Sequence, residues 1–311
     1  MGKIFKIEDT TSGRIIVHIF GVKICLKKKE TYKERKRLAD YYKKFKNPMD
    51  IPKAEGYLRL IQKANLRFLK EFDKVCVENG INYWLDFGTL LGAIRHKGYI
   101  PWDDDIDVGM LREDYEKIIK LFEEGKINNK DMKLEYSNNY KNKCFAKIKR
   151  SDAEYLFVDI FPYDFYYKKL SSDEKKVLSD KIKLIVDDKT RKENSIASIR
   201  ERFLKDTKEK ILAGNIVDKS SKPALFMAID YPHRWQNKVY DYESIFPLKK
   251  IEFEGEYLFA PNNPEDVLHC IYGNYMQMPK DCYPRHSSYA NMTVEEKQIL
   301  ESIVGEEWKR L

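Results

Sequence analysis

At 311 residues, with 42% apolar and 35% charged side chains, the chain can bury one substantial core, and its many Tyr and Phe residues argue against disorder throughout. The formal net charge of +8 sits entirely in residues 1–50, which hold 14 Lys/Arg against 6 Asp/Glu and leave 44 against 44 in the other 261. A charge-neutral body argues against nucleic acid as a partner, and five scattered cysteines without metal-ligand spacing argue against a disulfide framework or a zinc site.

Residues 1–50 read as a basic extension ahead of a body at 51–311. Within it, 12–27 form two β-branched runs around Phe20-Gly21, a hairpin pattern. Lys27, Lys28 and Lys29 follow, then a polar helix-like stretch to Asn47-Pro48. The apolar piece Ile15–Leu26 is interrupted by His18 and Lys23 and is too short to span a bilayer, and no small-residue cleavage site follows. The expected location is therefore cytoplasmic. A basic arm suits the anionic inner face of a membrane, to which the protein would attach peripherally; the plain alternative is a solvated extension.

Leu58–Asn79 reads as an amphipathic helix, with Leu58, Ile61, Asn65, Leu69, Phe72 and Cys76 at three- and four-residue steps and Asn79-Gly80 as its C-cap. Ile81–Phe87 reads as a strand, Gly88-Thr89 as a tight turn, and Leu90–Arg95 as a short helix. An acidic strand ends at Gly109, followed by a helix over Arg112–Glu124. Strands are expected at Cys144–Lys149 and Tyr155–Phe161, and a charged helical insert at 171–214. A strand pair around Gly255 and a helix at Pro264–Tyr272 complete the pattern. Helices alternating with strands indicate an α/β (α+β) protein with a mixed sheet flanked by helices.

The chemistry lies in Asp103, Asp104, Asp105 and Asp107, four carboxylates in five positions. Such crowding is unfavourable unless cations or basic groups neutralise it. Ile106 and Val108 set a strand, on which Asp105 and Asp107 share a face, as a hard divalent ion beside a phosphate requires. Regular pairing is expected from Asp105, because a strand starting at Asp103 would turn Asp104 into the core. Asp159, polar between Val158 and Ile160, is the best-placed third carboxylate. The set predicts Mg²⁺, as a pair of ions about 4 Å apart, with Mn²⁺ as a substitute. Asp104 is either a base for an acceptor hydroxyl, a strand cap or a group supporting the metal ligands.

Gly88-Thr89 would let the backbone approach a phosphate. Arg95, His96 and Lys97 either hold a donor diphosphate or only neutralise the aspartates. Arg285 and His286 either line the site or belong to a surface loop. Trp84, Tyr99 and Trp102 either stack on a base or a quaternary ammonium, or belong to the core.

The run GTLLGAIRHKGYIPWDDDIDVGM, preceded by LRLIQKANLRFLKEFDKVCVENGINYWL, resembles the LicD family of phosphocholine transferases, related to fukutin-type transferases. VDIFPYD at 158–164 and FEGEYLFAPNNPEDVLHCIYGNYMQMP at 253–279 resemble the family's later blocks. The resemblance implies a nucleotidyltransferase-like fold, with Asp105 and Asp107 as the metal-binding pair, Asp159 as the third carboxylate and Gly88-Thr89 as the Gly-Ser/Thr turn. It further implies transfer of phosphocholine from CDP-choline to a hydroxyl of a lipid-linked surface glycan (a lipooligosaccharide, capsule or teichoic acid precursor), releasing CMP. Ethanolamine, glycerol or ribitol phosphate from the matching CDP-alcohol is the nearest alternative, and a nucleotidyltransferase proper the next. A non-catalytic binding module would be favoured by loss of one of the carboxylates, and all three are present. The basic extension and the 171–214 insert depart from the simpler family pattern.

Overall fold

The structure, a computed structural model, describes residues 5–10, 14–19, 22–27, 29–127, 129–136, 146–186, 211–212, 219–227, 238–279, 282–283 and 292–305. It contains an antiparallel three-stranded sheet, a mixed eight-stranded sheet and a separate hairpin.

In the N-terminal segment β2 (Arg14–Ile19) and β3 (Val22–Lys27) form the expected hairpin, and β1 (Phe5–Thr10) adds a third strand beside β2 that the sequence pattern did not reveal. Helix α1 (Lys29–Tyr42) follows and is tied to the body: Tyr42 donates to the Pro101 carbonyl at 3.1 Å and packs on Trp102. Among the described residues no helix is long and apolar enough to cross a membrane.

The mixed sheet is built on β8 (Phe157–Tyr166), which is longer than expected. β5 (Asp107–Leu111) lies parallel to it in the register Asp107 opposite Asp159, and β4 (Trp84–Leu85) pairs antiparallel to β5. On the other edge of β8 lie β7 (Ala146–Arg150) and then β10 (Leu225–Met227). β6 (Met132–Tyr136), unforeseen, pairs with β7; β9 (Ile211–Leu212) and β11 (Val239–Tyr240) complete the sheet. Pro162 does not end β8. Asp159 N–H donates towards β5, to Ile106 O at 2.8 Å. Pro162 therefore faces the other edge, where β7 pairing has stopped at Ile160 and β10 pairing starts at Tyr163, so its missing N–H breaks no ladder.

Helix α2 (Gly56–Glu78) buries Ile61, Phe68, Leu69, Phe72 and Cys76, as its periodicity predicts. Helix α4 (Arg112–Glu123) sets Tyr115, Ile118 and Ile119 into the same core. The segment before β5 departs from expectation: α3 spans Phe87–His96, so the strand shrinks to two residues. Asp86 is the N-cap, and Gly88 and Thr89 belong to the first helical turn rather than to a free loop. Of the 171–214 insert, α5 (Ser172–Val186) is helical as expected, whereas β9 is a strand. Toward the C-terminus come α6 (Tyr242–Ile245), the hairpin β12 (Lys249–Phe253) and β13 (Glu256–Ala260), α7 (Pro264–Tyr272) and α8 (Val294–Val304). Leu300 and Val304 of α8 pack against Leu60, Ile61 and Ala64 of α2.

Candidate active site

Parallel pairing sets Asp107 and Asp159 side by side at the start of β5, and Asp105 joins them from the segment just before the strand. One carboxylate oxygen of each lies within 4.8 Å of the others, and Asp103, Asp104 and Asp105 form a second such group. Regular pairing begins at Asp107 rather than Asp105, yet Asp105 and Asp107 still converge.

Three polar side chains hold the acidic segment. Gln62 on α2 donates to Asp103 O at 2.9 Å and to Ile100 O at 3.3 Å, and Asn65, one turn on, donates to Asp104 O at 3.0 Å. From α3, the Thr89 hydroxyl accepts from Asp107 N–H at 2.8 Å. Amide side chains inside an amphipathic helix thus anchor the loop, and only their place on the apolar stripe hinted at it.

Asp86 is fully buried. It accepts from Phe87 N–H at 2.9 Å and from the Tyr163 hydroxyl at 2.6 Å. Burial pushes its carboxyl up to about 6 against the lowering effect of those hydrogen bonds. Gly88 sits where a Cβ would come within 2.6 Å of Asp103 Oδ2, so glycine keeps α3 close to the acidic loop.

Asp107 holds its proton well above the ordinary carboxylate range, through burial and then the charges of Asp105, Asp159, Asp103 and Asp86. A cluster of hard oxygen donors that resists full ionisation is short of positive charge, and that donor chemistry fits Mg²⁺ or Mn²⁺.

The basic run divides. Arg95 is 4% exposed; Nη1 donates to Tyr275 O at 2.9 Å, while Nε and Nη2 are buried without a hydrogen-bond partner among the described residues. Burial lowers its pKa to about 10, so it stays charged, and Asp103 is among the groups whose charge it feels. His96 is pushed down to about 4 by burial and by Arg95, which leaves a neutral imidazole at physiological pH. Lys97 is the left-handed C-cap of α3 (φ 50°), and its Nζ lies 3.4 Å from Glu252, with the side chain 75% exposed. It is a surface residue on the far end of the helix. Trp84, Tyr99 and Trp102 are buried core residues, with Trp84 packed over Gly109, where any Cβ would strike its ring. Arg285 and His286 lie outside the described residues.

Glu254 fixes the connection from α3 to the acidic loop. It sits in the β12–β13 turn with φ 55°, and takes Arg59 Nη1 at 3.0 Å, Arg59 Nη2 at 2.6 Å and Tyr99 N–H at 3.2 Å. Burial alone would raise its pKa, but the Arg59 hydrogen bonds and charge, with Lys53, hold it at about 2. On β7, Lys147 reaches Asp159; the alternating AKIKR run placed it on one face, but the register that aims it was not readable from sequence.

A sequence profile described as LicD/FKTN/FKRP, nucleotidyltransferase domain, matches residues 80–189, which include Gly88, Arg95, the acidic loop and Asp159. The chain is 30% identical over 263 residues to the lipopolysaccharide cholinephosphotransferase LicD of Haemophilus influenzae, covering 74% of this chain and 96% of that protein. It is also 35% identical over 86 residues to the human ribitol 5-phosphate transferase FKRP, covering 27% of this chain and 17% of that protein.

Proposed function

Because the chain belongs to the LicD/FKTN/FKRP nucleotidyltransferase family, we propose that it transfers phosphocholine from CDP-choline to a hydroxyl of a bacterial surface glycan and releases CMP. The convergence of Asp105, Asp107 and Asp159 within 4.8 Å on adjacent parallel elements carries this reading. The acceptor oxygen attacks the phosphorus bearing the alcohol, the P–O bond to CMP breaks with CMP leaving as the anion, and the hydroxyl proton passes to solvent. Such a transfer depends on positioning and on neutralising phosphate charge more than on a protein nucleophile.

Asp105, Asp107 and Asp159 would hold Mg²⁺, which when bound neutralises diphosphate oxygens and acidifies the attacking hydroxyl. Arg95 offers Nε and Nη2, which have no hydrogen-bond partner among the described residues, to the donor's phosphates. Thr89 fixes the backbone of Asp107, and Gly88 lets α3 approach. Asp104 is 1% exposed, so we assign it to shaping the acidic loop rather than to meeting the acceptor.

A second reading, transfer of ribitol phosphate, is favoured by the FKRP match and by the burial of the three aromatics that a trimethylammonium would seek. CMP release from CDP-choline, CDP-ribitol, CDP-glycerol and CDP-ethanolamine, with Mg²⁺, an extracted glycan acceptor and an EDTA control, tests both. EDTA-sensitive CMP from CDP-choline is expected. Preference for CDP-ribitol would install the second reading, and pyrophosphate release from CTP without CMP would replace both by nucleotidyl transfer.

A cleft of about 630 Å³ between α1 and the start of α2, lined by Lys33, Arg35, Arg37, Lys53, Tyr41 and Tyr57, supports contact of the N-terminal segment with an anionic membrane surface. We place the reaction at the cytoplasmic face, where a lipid-linked acceptor would be presented.

A further inference from the structure

The acidic rim carries a cation of its own. β7 runs antiparallel to β8 with Lys147 directly opposite Asp159, so the two side chains leave the sheet on one face. Lys147 Nζ lies 2.8 Å from Asp159 Oδ1. It also sits 3.3 Å from the centroid of the Phe157 ring, which shares that face two residues earlier on β8. The Lys147 side chain is 17% exposed, against 75% for Lys97 in its surface pair. Lys149, two residues on, goes instead to Glu135 and Glu154, away from the site. Lys147 is thus held between an aromatic face and a carboxylate that the divalent ion needs.

We propose that Lys147 is a resident counter-cation that a divalent ion must displace from Asp159, and that the displaced ammonium is handed to the diphosphate of the donor. The proposal rests on the reading of Asp105, Asp107 and Asp159 as the metal-binding set. A metal ion arriving alone takes Asp159 away from Lys147 and leaves an ammonium beside a dication. With the donor present, phosphate oxygens receive the ammonium, and the Phe157 ring steadies it during the exchange. Metal and donor therefore assist each other's binding, and the assistance is reciprocal. Free metal ions are held weakly until substrate arrives, which makes Lys147 a positioning residue for donor-dependent loading.

Mn²⁺ titration followed by electron paramagnetic resonance, with and without CDP, on the full chain and its Lys147→Met and Lys147→Arg variants, tests this. Lys147→Met should bind Mn²⁺ about tenfold more tightly than wild type in the absence of CDP, since one repelling charge at this range is worth roughly that factor. CDP should tighten Mn²⁺ binding to wild type and to Lys147→Arg, and much less to Lys147→Met. Equal or weaker Mn²⁺ binding by Lys147→Met, or undiminished coupling to CDP, would overturn the proposal. An Asp107→Asn variant that binds Mn²⁺ like wild type would instead overturn the metal-site reading, and the proposal with it.

Discussion

The two ends of the β5–β8 pair bury charge in opposite ways. At the start of the pair Asp107 stands beside Asp159, with Asp105 and Asp86 close by, and burial together with these crowded carboxylates raises the pKa of Asp107 well above its ordinary value. At the far end Arg112, the first residue after β5, grips Asp164 of β8 through two parallel hydrogen bonds, Nε to Oδ1 and Nη2 to Oδ2, both 2.9 Å. Each residue there is under 10% exposed and each charge is answered by its partner. A buried charge that serves the fold is matched within the fold, because an unmatched one costs several kcal/mol. This local excess of carboxylates at one end of the pair is what the proposed divalent ion would neutralise. The contrast also separates the two aspartates of VDIFPYD: Asp159 belongs to the excess and Asp164 to the matched pair.

The strongest way to break this comparison is Asp107→Asn. Turnover should fall by about 10³-fold, because positioning and charge stabilisation are lost together, while the melting temperature stays level or rises. The rise follows from removing a carboxylate that burial and its neighbours already disfavour. An active Asp107→Asn enzyme would mean that the excess is structural. Arg112→Ala tests the other end. It strands Asp164 in the core and should cost about 3–5 kcal/mol in urea unfolding. The double variant Arg112→Met/Asp164→Leu should recover most of the loss, and a single variant that loses under about 1 kcal/mol would remove the pair from the structural side.

A smaller effect distinguishes a third matched charge, Glu254. Its folded pKa of about 2 lies below the ordinary 4.5. Its contribution to stability is therefore complete above pH 4.5 and lost as the pH falls through the window down to 2. Glu254→Gln should lower neutral-pH stability by about 2 kcal/mol, a figure reduced for partial exposure of the Arg59–Lys53 cluster, and should flatten the acid limb of the stability profile between pH 4.5 and 2. An acid limb as steep as that of the wild type would assign the clamp to packing alone.

Much of this site is legible in the chain because its chemistry is local. Period-two alternation around Ile106 and Val108 puts Asp105 and Asp107 together even though the strand begins two residues later than the pattern suggests. Alternation through Val158 and Ile160 likewise picks out Asp159. Register is not local. Whether Asp159 meets Asp107 or another residue of β5, and whether Lys147 meets Asp159, is fixed by pairings between strands some 10 to 50 residues apart in the chain. The same limit hid Gln62, Asn65 and Glu254, whose partners lie far along the chain. Asp86 was hidden differently. Its apolar neighbours Tyr83, Trp84, Leu85 and Phe87 read as a strand, whereas the Phe87 N–H bond to its carboxylate and a left-handed Phe87 (φ 41°) show that Asp86 caps a helix. Lys97 shows the converse error of proximity: one residue past His96 in sequence, it caps the helix end and its exposed ammonium pairs with Glu252.

The smallest effect tests how tightly the excess is held. At Gly88 an added Cβ would lie 2.6 Å from Asp103 Oδ2 but 3.7 Å from Asp107 Oδ2, so only the Asp103 carboxylate must give way. The clash is with the end of a flexible side chain, and alanine favours a helix over glycine by up to about 1 kcal/mol. Gly88→Ala should therefore leave the melting temperature within a few degrees of wild type. The displaced Asp103 carboxylate and the filled approach to α3 should nevertheless weaken donor binding by about tenfold, read as a raised KM for the CDP-alcohol with kcat little changed. A drop in kcat at constant KM would place the disturbance at Asp107 instead, and would mean that the two groups of carboxylates joined at Asp105 move as one body.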